Sequence, residues 1–305
     1  MGKRVIYLLC TLVMCITLCL PAAASFDPNR SCSLTLSYSR NGEACADLDI
    51  RIYRVAELCE DGTYELVPPF SQQPINIYGI TSQQEWKEIA QTVHNCVSAN
   101  QIPPYRTQTT AADGNVRFTG LETGLYMVEG TTAQCGNASV MFQDFMIYLP
   151  TPNGEDYEYD VTAKPKYTEY TPPASYTVIK VWKDGDKPDS RPKSVTVDIL
   201  KDSAVQETVK LDSGNNWCYT WEAADDGSVW TVMETDVPAG YKLTITNNEG
   251  TFVITNAKTP TTPNIPQTGD TAPVVLYAVL LCVSGFGLVM LSILWMRNRN
   301  DEKKR

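Results

Sequence analysis

Histidine occurs once in the 305 residues, at His94, and none of the ten cysteines stands in a Cys-x-x-Cys pair. A metal site assembled from imidazole and thiolate ligands has no ligand set here. No Ser, His and Asp grouping or paired-carboxylate motif stands out, so neither an enzyme nor a cofactor is expected. Positive charge is also short: 25 Lys and Arg face 35 Asp and Glu, a formal net charge of −10. Such a surface repels nucleic acid and anionic membrane alike.

Long apolar runs stand at the two ends. Lys3 and Arg4 precede the run Val5 to Leu20, and Pro21-Ala22-Ala23-Ala24 supplies small residues for cleavage, so residues 1–24 read as a secretory signal peptide. The rival, lipoprotein processing at Cys19, is set aside because Leu18 sits where that route needs a small residue. At the other end Pro273 to Met296 forms a second apolar run, long enough as a helix to cross about 30 Å of hydrocarbon. The tail Arg297 to Arg305 carries five Lys or Arg, and the positive-inside rule keeps such a cluster cytoplasmic. Membrane contact is therefore expected only through this helix. Without the two end segments, 18 basic and 32 acidic residues remain, a formal charge of −14.

The pentapeptide Ile265-Pro266-Gln267-Thr268-Gly269, the apolar run and the basic tail follow one another in order. Together they resemble the sorting signal that sortase transpeptidases use to attach proteins to Gram-positive cell walls, a Leu-Pro-x-Thr-Gly motif in which Ile265 here replaces Leu. The resemblance implies cleavage between Thr268 and Gly269 and transfer of the Thr268 carbonyl to an amine of peptidoglycan or of another pilin subunit. The expected location is the cell wall and surface, reached through a transiently membrane-anchored precursor.

The length between the ends suggests two domains, expected at 25–167 and 176–258, with linkers at 168–175 and 259–264. Export permits disulfides among Cys32, Cys45, Cys59, Cys96, Cys135 and Cys218, but 15 full pairings are open to six cysteines. In the first half, Leu34, Leu36 and Tyr38 alternate with polar residues, as do Leu48, Ile50 and Ile52, and Val116 to Phe118 and Leu125 to Val128 follow Gly-containing turns. Phe142 to Leu149 and Tyr157 to Ala163 are expected to close the sheet. One helix interrupts the strands: Ser82 and Glu85 fit a capping box, and Trp86, Ile89, Ala90, Val93, Cys96 and Val97 form one stripe that packs on the sheet. His94, beside that stripe, is expected to be solvated or locally bonded. Cys32 shares parity with Leu34 and Leu36, so a disulfide through it is an option for stapling this half.

At the end of the first half, Val161-Thr162-Ala163-Lys164-Pro165-Lys166 resembles the motif of shaft pilins in which a Lys after Tyr-Pro attacks the next subunit's sortase intermediate. Lys164 stands here in place of Tyr. The resemblance points to Lys166 as the pilin-motif lysine.

Seven strand signals spaced by turns fill the second half: Tyr176 to Trp182, Ser194 to Lys201, Thr208 to Leu211, Trp217 to Glu222, Val229 to Glu234, Lys242 to Thr246 and Thr251 to Asn256. That spacing predicts an antiparallel β-sandwich. Three polar residues share parity with apolar neighbours and so face the core: Lys180 with Val178 and Trp182, Glu234 with Trp230 and Val232, and Asn256 with Phe252 and Ile254. A lone Lys or Glu buried there costs several kcal/mol or becomes neutral. Chemistry between them is one resolution, and an ordinary buried ion pair is the other.

Val178-Ile179-Lys180-Val181-Trp182, Arg191 to Val195, Asn216-Trp217, Val232-Met233-Glu234, Val237 to Tyr241 and Ile254-Thr255-Asn256 resemble a Cna B-type domain along its length. The resemblance implies a spontaneous isopeptide bond between Lys180 and Asn256, with Glu234 as acid and base, formed once per molecule. The fold class expected is all-β: two Ig-like (Cna B-type) sandwiches in tandem, the first with one inserted helix. The function expected is a wall-anchored structural protein, a pilin subunit or stalk. The alternative is an adhesin whose N-terminal domain binds a host protein or glycan through the helix and the loop Gln101 to Asp113.

Overall fold

A computed structural model describes residues 26–154, 156–171, 173–185, 191–223 and 226–258. The signal peptide, the pentapeptide Ile265 to Gly269, the apolar run and the basic tail lie outside the described residues. Among the described residues no helix is long and apolar enough to cross a membrane.

The first half is a set of short strands around one helix. Strand β1 (Cys32–Ser37) pairs antiparallel with Asn115–Leu121 and parallel with Asp160–Ala163. Strand β2 (Asp49–Leu58) pairs with Gly124–Val128, which pairs in turn with Phe145–Leu149. The alternating residues of β1 and β2 fill one cluster with Phe118, Tyr126 and Phe142. Helix α1 (Gln83–Asn100) covers the other face of β2, where Trp86, Ile89, Val93 and Val97 pack with Tyr53, Val55, Leu125 and Met127.

The start of α1 follows from its sequence. Ser82 caps it by accepting from the Glu85 amide, while the Glu85 carboxylate takes the Ser82 amide in return. It ends at Gln101 in the left-handed region, short of Pro103 and Pro104.

Three expectations need correction. Tyr157 to Ala163 is not one strand but parts of Asp156–Glu158 and Asp160–Ala163, broken at Tyr159. Phe142 to Leu149 is two strands, Ala138–Phe142 and Phe145–Leu149, broken at Gln143 and Asp144. Asp144 turns inward there, its carboxylate accepting from the Gly130 amide at 2.7 Å and meeting His94 Nδ1 at 2.8 Å. Cys32 remains a buried thiol, and the disulfide that ties this half joins Cys45 to Cys135, with Cα atoms 5.1 Å apart.

The second half is a two-sheet sandwich of seven strands. Strand β3 (Ser175–Lys183) lies between Cys218–Glu222 and the last strand, and the sheet ends on β6 (Lys242–Asn248). Facing it, β4 (Ser194–Lys201) lies between Ala204–Asp212 and β5 (Trp230–Glu234). The last strand, β7 (Thr251–Ala257), runs parallel to the first, with Lys180 opposite Ile254 and Trp182 opposite Asn256. The inward residues of both sheets, Val178, Val197, Ile199, Val232, Leu243, Ile245, Phe252 and Ile254, make the core.

Candidate functional site

Lys180, Glu234 and Asn256 come together inside this core, and they come from both sheets. Lys180 on β3 and Asn256 on β7 project from neighbouring parallel strands, and parity puts both on the inner face. Glu234, the last residue of β5, reaches them from the facing sheet. The side chains of Lys180 and Glu234 have no exposed surface, and Asn256 has none as a residue.

One carboxyl group touches both partners. Glu234 Oε2 lies 3.3 Å from Lys180 Nζ, and Glu234 Oε1 accepts from Asn256 Nδ2 at 2.8 Å. The remaining contacts of Nζ are the carbonyls of Val181 at 3.2 Å and Ile254 at 3.4 Å, and the Trp182 ring centroid at 4.4 Å. Asn256 Oδ1 is buried and has no hydrogen-bond partner among the described residues.

Burial sets the protonation of the pair. Desolvation lowers the Lys180 pKa to about 8 against the opposing attraction of Glu234. The same desolvation raises the Glu234 carboxyl above the usual carboxylate range, against the pull of Lys180 and of the Asn256 hydrogen bond. Both directions favour a neutral amine beside a protonated acid. A neutral amine is a nucleophile, and a protonated carboxyl polarises a carbonyl that it hydrogen-bonds.

Residues 176–257 match the Cna protein B-type domain. The collagen adhesin of Staphylococcus aureus is 34% identical over 121 residues, which are 37% of this chain and 10% of the adhesin. The chain thus spans about a tenth of that relative's length. A single B repeat unit of the Staphylococcus aureus collagen-binding surface protein shares 18% identity, covering 76% of this chain and 99% of the repeat, with a TM-score of 0.26. The full-length major pilin SpaD of Corynebacterium diphtheriae shares 17% identity over 76% of this chain and 65% of its own, with a TM-score of 0.30.

The other residues singled out by sequence are not drawn into the B-type site. Lys164 and Lys166 are exposed between the strands Asp160–Ala163 and Tyr167–Glu169, where the Lys166 carbonyl accepts from the Gln143 amide. His94 is neither solvated nor bonded within its own segment: it meets the Asp144 carboxylate, 50 residues away in sequence. Burial disfavours its charge, but the Asp144 carboxylate and the hydrogen bond to it outweigh that cost, with Glu129 adding to them, and raise its pKa to about 9.

Sequence reasoning missed a second face of α1. Thr92, Asn95 and Cys96 are buried, and Cys96 and Ala99 belong to the core of the second sandwich. The stripe read as one surface is split: Cys96 faces the second half, while Ile89, Val93 and Val97 face the first. A signal was present, because Thr92, Asn95 and Ala99 recur at three and four on the flank of the apolar stripe. Being polar, the first two add nothing to the apolar periodicity that marks a buried face. This placement also removes most of the helix from the surface available to an adhesin ligand, while the strand Arg106–Thr109 beyond it is exposed throughout.

Proposed function

We propose that this chain is a wall-anchored structural surface protein, a pilin subunit or stalk, whose second sandwich locks itself with an amide between Lys180 and Asn256. The observation that carries the reading is the single buried Glu234 carboxyl in contact with both Lys180 Nζ and Asn256 Nδ2. The two ends of the Asn amide have the same shape, and a half-turn of the group brings the unpartnered Oδ1 to the protonated carboxyl. The Nζ lone pair then attacks Cγ, the Cγ–Oδ1 double bond opens, and Glu234 holds the developing oxyanion by its proton. A proton from Nζ passes through the carboxyl to Nδ2, the Cγ–Nδ2 bond breaks, and ammonia leaves. One amide N–H replaces one amine and one amide, and Glu234 ends as it began.

Attachment follows from the end signals. A sortase would cleave between Thr268 and Gly269 and pass the Thr268 acyl group to peptidoglycan or to the next subunit. Lys166, exposed at the end of the first sandwich, is the amine available to accept such an acyl group in a polymer. The rival proposal, an adhesin for a host protein or glycan, keeps the exposed Arg106–Thr109 strand as its surface but loses the helix.

Intact-mass measurement of residues 25–264 tests the crosslink. The folded protein should weigh about 17 Da less than its sequence mass after allowance for the disulfide, from the ammonia expelled. Freshly made chains should lose that mass faster as pH rises through about 8, because the attacking amine must be neutral. A fully folded protein of unreduced mass would leave Lys180 and Glu234 as a buried ion pair.

A further inference from the structure

The second sandwich is open along one side. There β5 is the edge of one sheet and β6 the edge of the other, and among the described residues each presents backbone groups with no strand beyond them. The first half of the chain covers both edges. Thr92 Oγ1 accepts from the Ile245 amide of β6 at 2.8 Å, and Asn95 Oδ1 accepts from the Val232 amide of β5 at 2.9 Å. Gln91 exchanges bonds with Asn247, donating to its carbonyl at 3.1 Å and accepting from its amide at 3.4 Å. The carbonyl of Pro74 accepts from the Leu243 amide at 2.7 Å.

These contacts bracket the Lys180 site. Val232 is two residues before Glu234 on the same strand and face, and Leu243 is the register partner of Asn256. Thr92 and Asn95, three residues apart on one side of α1, therefore tie the strand carrying the acid to the strand beside the one carrying the amide. Thr92 is fully buried and Asn95 is 4% exposed, so neither bond competes with water. The Thr92 hydroxyl proton has two carbonyls within reach, the nearer Glu88 at 2.7 Å and Ile245 itself at 3.3 Å, so the side chain is held at β6 both by the amide bond it accepts and by its own proton. Asn95 is aimed by its Nδ2, which donates to the Gln91 carbonyl at 2.7 Å.

We propose that α1 is part of the crosslinking machinery: Thr92 and Asn95 are positioning residues that set the distance between the two sheets at the Glu234 end, so the second sandwich reacts only once the first half has docked. This rests on the crosslink reading above. A proton-transferring carboxyl that bridges two groups across a sheet gap tolerates little displacement, and an error of about 1 Å costs on the order of a hundredfold in rate. The first half thus acts as a folding checkpoint. A chain whose N-terminal half is misassembled stays uncrosslinked and open to unfolding.

The test follows mass loss with time in residues 25–264 made by cell-free synthesis, with the folded fraction read in parallel from near-ultraviolet circular dichroism. Thr92→Val keeps the shape and removes the acceptor, and Asn95→Leu does the same on β5. The double variant should fold and yet lose the 17 Da at least about tenfold more slowly than wild type. Thr92→Ser, which keeps the acceptor, should react at the wild-type rate, an outcome that a merely structural loss of the Thr methyl would not give. If the double variant does not fold, Gln91→Ala, at a partly exposed site, takes its place and should slow the reaction several-fold. Equal rates in wild type and the folded variants would overturn the proposal and leave the crosslink standing. Absence of mass loss in wild type would instead remove the crosslink, and this inference with it.

Discussion

Replacing Lys180 by Met tests the proposed covalent bond apart from the packing around it. Met fills most of the Lys stem, and losing the cation removes a pull that lowers the Glu234 pKa, so burial drives the carboxyl further toward the neutral form, which can still accept from Asn256. The change therefore removes the nucleophile and leaves little else altered. The proposed amide would close a loop of 77 residues, from Lys180 to Asn256. Treated as a disulfide of that span, it restricts the unfolded chain by about 4.5 kcal/mol at room temperature. How this appears in Tm depends on what melts together. A sandwich of about 80 residues unfolding alone would lose roughly 25 °C, whereas the two halves unfolding as one body of about 230 residues would lose about 10 °C. The helix shared by both cores favours the single transition. Scanning calorimetry of Lys180→Met against wild type, with intact masses for both, is the assay. The expected result is one transition lowered by about 10 °C and a mass restored to the sequence value. A Tm within about 2 °C of wild type, with wild type shown to be lighter by 17 Da, would refute the entropic argument.

Other outcomes follow from the same structure. The raised pKa of His94 contributes stability that is complete below about pH 6.5 and is lost as pH rises through about 9, and a His94→Gln variant should flatten this part of the stability profile measured by urea unfolding. Alkylation of unfolded, unreduced residues 25–264 should label four thiols, Cys32, Cys59, Cys96 and Cys218, and reduction should expose two more; six labels before reduction would remove the Cys45 to Cys135 bond. Thr268→Ala should hold the protein in the detergent-extractable membrane fraction, while the native form needs wall-digesting enzymes for release; equal extraction of the two would defeat the anchoring proposal. Lys166→Ala should abolish any ladder of detergent-resistant multimers on native cells, and a ladder that persists would take Lys166 out of polymerisation.

The strands of the second sandwich were legible because one face of each is buried. Alternation then marks the strand, and at Lys180, Glu234 and Asn256 it also marked the anomaly, since a polar residue in phase with apolar ones has nowhere to go but inward. The start of α1 was legible for a local reason, the reciprocal bonds of Ser82 and Glu85. What escaped the sequence was set by contacts between distant segments. The break at Gln143 and Asp144 exists because the Asp144 carboxylate meets Gly130 and His94, and nothing near Asp144 in sequence announces either. The choice of Cys45 and Cys135 among the pairings depends on residues 90 apart in sequence meeting in space. Thr92 and Asn95 are polar residues on a helix flank, and only the open strand edges of the second sandwich make them buried.

The parallel pairing of β3 with β7 has a mechanical meaning. The chain enters the second sandwich at Ser175 and leaves at Ala257, and because the two strands run the same way, entry and exit lie at opposite ends of the pair. Tension applied through the neighbouring segments would slide one strand past the other. Without a crosslink, yielding would release the whole sandwich, more than 80 residues and on the order of 280 Å of slack at about 3.4 Å per residue. With Lys180 joined to Asn256, the load path is Ser175 to Lys180, the amide, and Asn256 to Ala257. Only about eight residues lie along it, roughly 27 Å when taut. The sandwich would then behave under load as a nearly inextensible link, its remaining strands carried as an unstressed loop.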